Sequence, residues 1–481
     1  MKNTPQEGAA TILQVGPERN ERSAVALRAN GDSKLPAIEG RPLAKRVFTA
    51  TYYDTPERRL ARAGISLRRR MESGNNVWEL ELPRESEPVK LDAPGGPSGP
   101  PPVLARLLSG VVRGAPLEEV RRTRTRRSGV RVASGGLETV EALIDSISVL
   151  DGRRVEEEFT EISLRQLDGD TRRFRALSKE LRNAGARPLP RTQDRQPRRA
   201  DTDAGVARVR AVLDRQLTLM LAHDPGVRLG DDPEDVHRLR VATRRFRAVL
   251  RAARPFFASP VDDLRSDLAW MADLLGSVRD LDVLIEQLRK ERTAFDLSEQ
   301  AGAAQVVDLL VAEREAARAK LVTAMRTKRY ARLLTRLEEL VDGPISDKKI
   351  GVEKLARKEF RKLRKTESQL TEHANDEDLH RVRVHVKRAR YTAELAERAV
   401  GKRATRFITK AKRFQDVAGE LQDSVVAEQK LRALSAQVDE SGAAFSAGRL
   451  LERARSRRAA ARQSLPAAWS RVEKTGSRAW N

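Results

Sequence analysis

Residues 237–247 read HRLRVATRRFR, and residues 380–390 read HRVRVHVKRAR. His237, Arg240, Arg244, Arg245 and Arg247 in the first stretch correspond to His380, Arg383, Lys387, Arg388 and Arg390 in the second. The offset is 380 − 237 = 143 residues, and it also links Gly276 with Gly419, Asp280 with Asp423 and Leu288 with Leu431. Two ungapped units in register over about 140 residues point to a duplication within the chain.

The spacing has a physical consequence. At about 100° per residue, positions 237, 240, 244, 247 and 251 of a helix fall within roughly 80° of arc. His237, Arg240, Arg244, Arg247 and Arg251 then form one cationic stripe, with Leu239, Ala242, Phe246, Val249 and Leu250 behind it facing a core. In the second unit His380, Arg383, Lys387 and Arg390 repeat the stripe over Val382, Val386, Ala389 and Ala393. Like charges one turn apart repel by roughly a few tenths of a kcal/mol per pair. Acidic residues interleaved in the stripe would relieve this, and none are present in either unit. A solvated face is one reading. Pairing with carboxylates elsewhere in the chain is another, for which Asp280 and Asp282 in LGSVRDLDV are the candidates. Recurrence at a fixed spacing favours a third, a polyanion from outside. His237 and His380 either satisfy a helix end or a core hydrogen bond, or donate N–H to phosphate and gain charge near neutral pH. His223, His373 and His385 have no repeated setting, and no role is expected of them.

The bulk composition agrees. The chain has 481 residues, 39% hydrophobic and 34% charged, which suits polar-faced globular domains with sizeable cores. Lys and Arg number 93 against 69 Asp and Glu, a formal net charge of +24. Such an excess suits a polyanionic partner: nucleic acid, an acidic membrane surface or a phosphate polymer. The absence of cysteine removes disulfides, thiolate metal sites and cysteine nucleophiles. No signal peptide and no apolar run near the roughly 20 residues of a membrane span is visible, so a cytoplasmic protein with no membrane partner is expected. Only 4% of residues are aromatic, leaving few platforms for stacking bases, and no helix-turn-helix or zinc-finger pattern occurs. Nucleic acid is therefore expected to bind only non-specifically.

Residues 22–165 carry strand-like alternation, as in 77–82 (VWELEL) and 139–147, and Pro and Gly in 92–102 (DAPGGPSGPPP) predict a loop or linker. A helix is predicted from an N-cap near Asp170, with Phe174, Leu177 and Leu181 on one face and a stop at Gly185. Polar, proline-bearing 187–204 marks a domain boundary, after which helical periodicity dominates. The expected organisation is a disordered N-terminus over 1–20, a β-rich domain over 21–190, a linker over 191–204 and a helical domain over 205–481.

The pattern of DDPEDVHRLRVATRRFRAVLR, LGSVRDLDVL, LHRVRVHVKRARY and FQDVAGELQD resembles the CHAD domain, the conserved histidine α-helical domain, over roughly 205–440. The resemblance implies two four-helix bundles related by a pseudo-twofold, basic helices lining a shared surface or pore, binding of long-chain inorganic polyphosphate, and residence at polyphosphate granules. The polyphosphate-binding residues it suggests are His237, Arg240, Arg244, Arg245, Arg247, Arg251, His380, Arg383, Lys387, Arg388, Arg390 and Lys412. The second unit departs from the first at Lys387 in place of Arg244, which loses a bidentate fork, and at Gln422 in place of Arg279.

Residues 52–70 (YYDTPERRLARAGISLRRR), followed by WELELP, resemble CYTH domains, the triphosphate tunnel metalloenzymes, over about 20–200. This resemblance implies an antiparallel β-barrel tunnel in which arginines hold triphosphate and carboxylates hold a divalent metal, Mg or Mn. The family's ExExK signature is replaced near Glu21 by Arg22, Ser23, Ala24, Val25 and Ala26. Glu81 stands where a lysine is expected. Glu161 is retained, but Ser163 and Arg165 replace further glutamates. Arg68 and Arg70 match the phosphate-binding arginines and make a possible second anion site. An α+β protein is expected, with a degenerate, non-catalytic tunnel and no cofactor. The alternative is a metal-dependent triphosphatase or nucleotidyl cyclase in that tunnel, using Mg or Mn.

Overall fold

The computed structural model describes residues 13–14, 24–30, 36–84, 88–134, 137–167, 171–188, 201–346, 348–370, 374–435 and 441–480. Contacts divide the chain into two units, Met1–Gln196 and Pro197–Asn481. The expected disordered 1–20 and linker 191–204 lie mostly outside the described residues, as does the helix cap at Asp170.

In the N-terminal unit the alternating runs become strands of one antiparallel sheet. They are β1 Leu13–Gln14, β2 Ala24–Asn30, β3 Arg41–Pro42, β4 Arg46–Asp54, β5 Ser66–Glu72, β6 Asn75–Leu82, β7 Val89–Pro94, β8 Glu118–Ser134, β9 Leu137–Asp151, β10 Arg154–Gln166 and β11 Arg187–Pro188. Helices α1 Arg59–Arg62, α2 Pro102–Val112 and α3 Thr171–Asn183 join them. The order is β1-β7-β6-β5-β4-β8-β9-β10-β2-β11, with β3 on β8. The expected barrel does not close: no pairing joins β1 to β11 among the described residues. Each of these end strands pairs over only two residues, too short a ladder to seal a tunnel. The predicted loop over 92–102 is also shorter than expected. Asp92 and Ala93 pair with Glu79 and Trp78, so β7 runs to Pro94 and only 95–101 connects it to α2. Period-2 alternation gives the sheet two faces. On one, Leu27, Ala29, Val140, Ala142, Ile162 and Leu164 pack against Phe174, Leu177 and Leu181 of α3. The opposite face carries charge.

The second unit is all helical among its described residues apart from turns. It contains α4 Ala204–Leu229, α5 Pro233–Ala252, α6 Asp262–Arg292, α7 Leu297–Met325, α8 Lys328–Asp342, α9 Val352–Glu367, α10 Asp376–Val400, α11 Lys402–Ser435 and α12 Ser441–Trp480. The duplication is structural as well as sequential: α5 and α10 begin 376 − 233 = 143 residues apart. Buried faces of α4, α5, α6 and α8 make one four-helix bundle, and α9, α10, α11 and the end of α12 make its pseudo-twofold mate. The later halves of α6 and α11 then meet α7 and the start of α12 around Leu284, Leu288, Val307, Ala427, Leu431 and Leu450. Three pairs in that layer, 284/427, 288/431 and 307/450, are repeat mates at 143. The long helix α12 corresponds to α7 and α8 together, which break where Thr327 caps Tyr330 N–H. Among the described residues no helix is long and apolar enough to cross a membrane.

Candidate functional site

Both basic helices start where the sequence supplies caps. Asp232 accepts from the Glu234 N–H at 2.8 Å, and Asn375 with Asp378 forms a reciprocal capping box. First-turn acids, Glu234 and Asp235 in α5 and Asp376, Glu377 and Asp378 in α10, suit the positive helix end and leave the next turns to cations. Behind the stripes, Leu239, Ala242, Phe246, Val249 and Leu250 are buried, as are Val382, Val386, Ala389 and Ala393. Each large apolar group anchored this way contributes about 1.5–3 kcal/mol, which fixes the rotation of both helices and hence the direction of their charges.

α5 and α10 pack against each other, and Lys387 lies within electrostatic reach of Arg240, Arg244 and Arg383, so the two stripes come together there. Burial, then Arg244, Arg383 and Arg240, push the Lys387 ammonium down to about 6, against the pull of Asp423. Burial likewise lowers the pKa of Arg240 and of Arg383, although Asp280 and Asp423 respectively oppose it. Arg240 donates from Nη2 to Asp280 Oδ1 at 3.0 Å. Its Nε, like that of Arg383, is buried with no hydrogen-bond partner among the described residues. Arg244 makes no ion pair or hydrogen bond among the described residues. Under these side chains lie the repeated glycines. A Cβ on Gly276 would stand 3.7 Å from Arg240 Nη2, and one on Gly419 would stand 3.9 Å from Arg383 Nη2. A methyl would just touch the guanidinium, and anything larger would displace it.

Not every residue of the stripes points into this cluster. Arg390 is 11% exposed, donates to Glu394 at 2.5 Å and Gln415 at 3.1 Å, and lies 4.5 Å from the Tyr391 ring. Arg245 stands 3.6 Å from the same Glu394 carboxylate. These two are matched within the molecule. Arg388 lies 3.4 Å from His385 Nε2. Arg251 is half-buried and has its pKa lowered by burial, despite Glu359 nearby. Arg247 and Lys412 are exposed. Burial and then Arg279 hold His237 below the usual imidazole range, so it stays neutral more readily than expected. His380 is exposed, with Nδ1 2.8 Å from Gln422 Oε1, in the crevice also lined by Asp376, Arg383 and Ala418. His223 is bonded to Asp235 at 2.8 Å, and His373 lies outside the described residues. Sequence reasoning gave Asp423 no role, although its offset from Asp280 was the signal.

On the charged face of the sheet, register places Tyr52 opposite Arg68, Arg68 opposite Glu79, and Glu161 opposite Arg28. Arg68 and Arg70 each donate from Nε to Glu79 at 2.5 Å, and Arg70 also reaches Glu72. Burial alone would raise the Glu79 pKa, but the two guanidinium groups hold it below the usual range. An anion at Arg68 and Arg70 must therefore displace Glu79. Arg28 holds Glu161 at 2.8 Å, and Arg127 holds Asp145 through two contacts of 2.7 Å. Arg121 sits 5.8 Å from the Tyr52 ring and 5.6 Å from that of Phe159, with no ion pair among the described residues. A hard divalent cation needs several free oxygen ligands. Here Glu79, Glu161 and Asp145 are each taken by arginine, and no group of three metal-ligating side chains occurs among the described residues. As placed, these three carboxylates offer their oxygens to guanidinium groups rather than to a cation. Sequence reasoning missed Arg28, Arg121 and Glu79; the alternation in WELEL was the only hint.

A family model described as the CYTH domain matches residues 23–192, and one described as the CHAD domain matches residues 211–432. An uncharacterized protein of Mycobacterium tuberculosis, Rv2226, is 28% identical over 499 residues, which cover 94% of this chain and 94% of that protein. Among solved structures, the CHAD domain from the plant Ricinus communis is 24% identical and aligns with 57% of this chain and 94% of its own, at a TM-score of 0.46. PptA from Streptomyces chartreusis is 20% identical and aligns with 56% of this chain and 100% of its own, at a TM-score of 0.44.

Proposed function

We propose that this chain, a CYTH domain followed by a CHAD domain, is a non-catalytic binder of inorganic polyphosphate. The observation that supports it most is the convergence of Arg240, Arg244, Arg383 and Lys387 from both repeats on one place with too few carboxylates to neutralise them. Burial first, and then Arg244, Arg383 and Arg240 beside it, drive Lys387 down to about 6. A flexible line of phosphates supplies countercharge and releases its own counterions, as nucleic acid does to basic proteins. The arginines add paired N–H donors to phosphate oxygens, while exposed Arg247 and Lys412 extend the track. A homopolymer has no sequence to read, so no base-edge contacts are needed. Nucleic acid is expected to compete only weakly at physiological salt.

The CYTH domain is proposed as a scaffold or a weak second anion site, because its arginines already hold its own carboxylates. Residence at polyphosphate granules would follow from the binding, and imaging of the tagged protein in cells with and without polyphosphate checks it. Calorimetric titration with polyphosphate of defined length tests the reading itself, comparing the intact chain with Arg240→Glu, Arg244→Glu, Arg383→Glu and Lys387→Glu combined. The expected loss is at least about a hundredfold. Unchanged affinity in the quadruple variant, or equal displacement by duplex DNA and polyphosphate, would overturn it.

A further inference from the structure

Two carboxylates stand among the cations where the repeats meet. Asp280 of α6 holds Arg240 at 3.0 Å while its own side chain is 55% exposed, against 24% for Arg240. The acid therefore lies on the solvent side of the cation. Its repeat mate, Asp423 of α11, is also exposed. Asp423 is the foremost charged neighbour of Arg383, and Asp280 and Asp423 are close enough for one to affect the other. The two repeats differ around them, with Arg244 in one against Lys387 in the other and Arg279 against Gln422. Both units nevertheless carry an aspartate at this position.

We propose that Asp280 and Asp423 are built-in competing anions that set a length threshold, rejecting orthophosphate and short oligophosphates while yielding to a polymer that reaches both repeats. This deepens the polyphosphate reading and rests on it. A short anion entering the cluster must separate Asp280 from Arg240 and sit beside Asp423, and it gains only one or two cations in return. A long chain can leave the Asp280–Arg240 pair closed and lie along the other cations of both repeats. It then adds contacts to Arg244, Arg383 and Lys387, each made at the high effective concentration of a tethered phosphate. The carboxylates thus weaken a short anion confined to the cluster more than a polymer, whose phosphates can settle on cations away from them. Without them, four closely spaced cations would capture any small phosphate compound.

The test uses the full chain, titrated with orthophosphate, tripolyphosphate and long-chain polyphosphate, in the native form and as Asp280→Asn with Asp423→Asn. The native chain is expected to bind the polymer and to discriminate strongly against tripolyphosphate. In the Asn variant, tripolyphosphate should bind roughly tenfold tighter or more, the effect of removing a unit charge several ångströms away at an intermediate dielectric. Polymer affinity should change by less than about threefold, since most of its contacts lie elsewhere. Asp280→Glu with Asp423→Glu keeps the charge and should keep the discrimination, and thermal melts of all three proteins show that the fold is intact. An unchanged affinity ratio, or both ligands weakening together because the aspartates merely orient the arginines, overturns the threshold. A native chain that binds no polymer would instead sink the polyphosphate reading, and the first titration shows this before any variant is made.

Discussion

Lys387 is the residue at which the conflict between folding and binding is sharpest. Its ammonium is within electrostatic reach of Arg383 on its own helix, Arg240 and Arg244 on α5, and the carboxylate of Asp423 on α11. With a folded pKa of about 6 against the usual 10.5, the native state binds fewer protons than the unfolded chain between those values. Stability therefore rises with pH across that window, and is lost as pH falls toward 6. Lys387→Met removes the effect and should stabilise the helical domain by about 1–2 kcal/mol at pH 7, as replacing a poorly compensated buried charge does. Binding should move the opposite way. A bound polyanion restores the lysine's proton, so affinity is expected to rise from about pH 8 to pH 6 and then level as free Lys387 is already charged. Calorimetry in buffers of different ionisation heat should show proton uptake in the native chain and none in Lys387→Met. A variant both more stable and weaker in binding identifies Lys387 as serving the ligand, whereas loss of stability would mean that it serves the fold.

At the scale of elements, the duplicated helices were legible and their surroundings were not. The apolar faces of α5 and α10 follow from period 3.6, and burial of Phe246 and Val386 agrees with it. That Arg245 turns to Glu394 could not be read, because this pairing depends on how α10 crosses α5, whereas Arg390–Glu394 is an i,i+4 pair within α10 whose spacing was visible. The sheet shows the same limit. Alternation marks VWELEL as a strand, but which strand lies beside it decides that Glu79 clamps Arg68 and Arg70. The repeated glycines were visible as a pattern long before the guanidinium groups above them gave a reason. One close approach gives a further prediction. A Cβ on Gly476 of α12 would stand 2.1 Å from the Phe360 ring of α9. Gly476→Ala should therefore cost about 1–3 kcal/mol through overpacking, outweighing the helix propensity gained, and chemical denaturation would measure it. Asn375→Ala should cost about 1 kcal/mol by removing the α10 capping box. The same titration would detect it, and an unaltered midpoint would show that the box contributes nothing.

For the whole molecule, the question is whether a net charge of +24 serves one ligand through both domains or through one. The sheet and the helices treat their arginines differently. In the helical unit Arg244 and Lys387 make no ion pair among the described residues, and Arg240 shares an exposed acid; on the sheet, Arg28, Arg68, Arg70 and Arg127 are matched by carboxylates at 2.8 Å or less. Matched charges release few counterions on binding, so the salt dependence should come almost entirely from the helices. Each phosphate contact removed lowers the slope of log affinity against log salt by roughly 0.7, taking single-stranded nucleic acid as the guide. Arg244→Gln should show that decrement, and Arg68→Gln should show almost none. The same matching bears on catalysis. Hydrolysis on the charged face of the sheet would require Glu79 and Glu161 to leave arginine for metal, exchanging short charge-assisted bonds for ligation by too few oxygens. Full-length protein given tripolyphosphate or ATP with Mg or Mn is therefore expected to release phosphate no faster than Arg68→Ala does. Metal-dependent turnover that vanished in Arg68→Ala would mean the ion pairs open for substrate, and the CYTH domain would then be an enzyme delivered to its substrate by the helices.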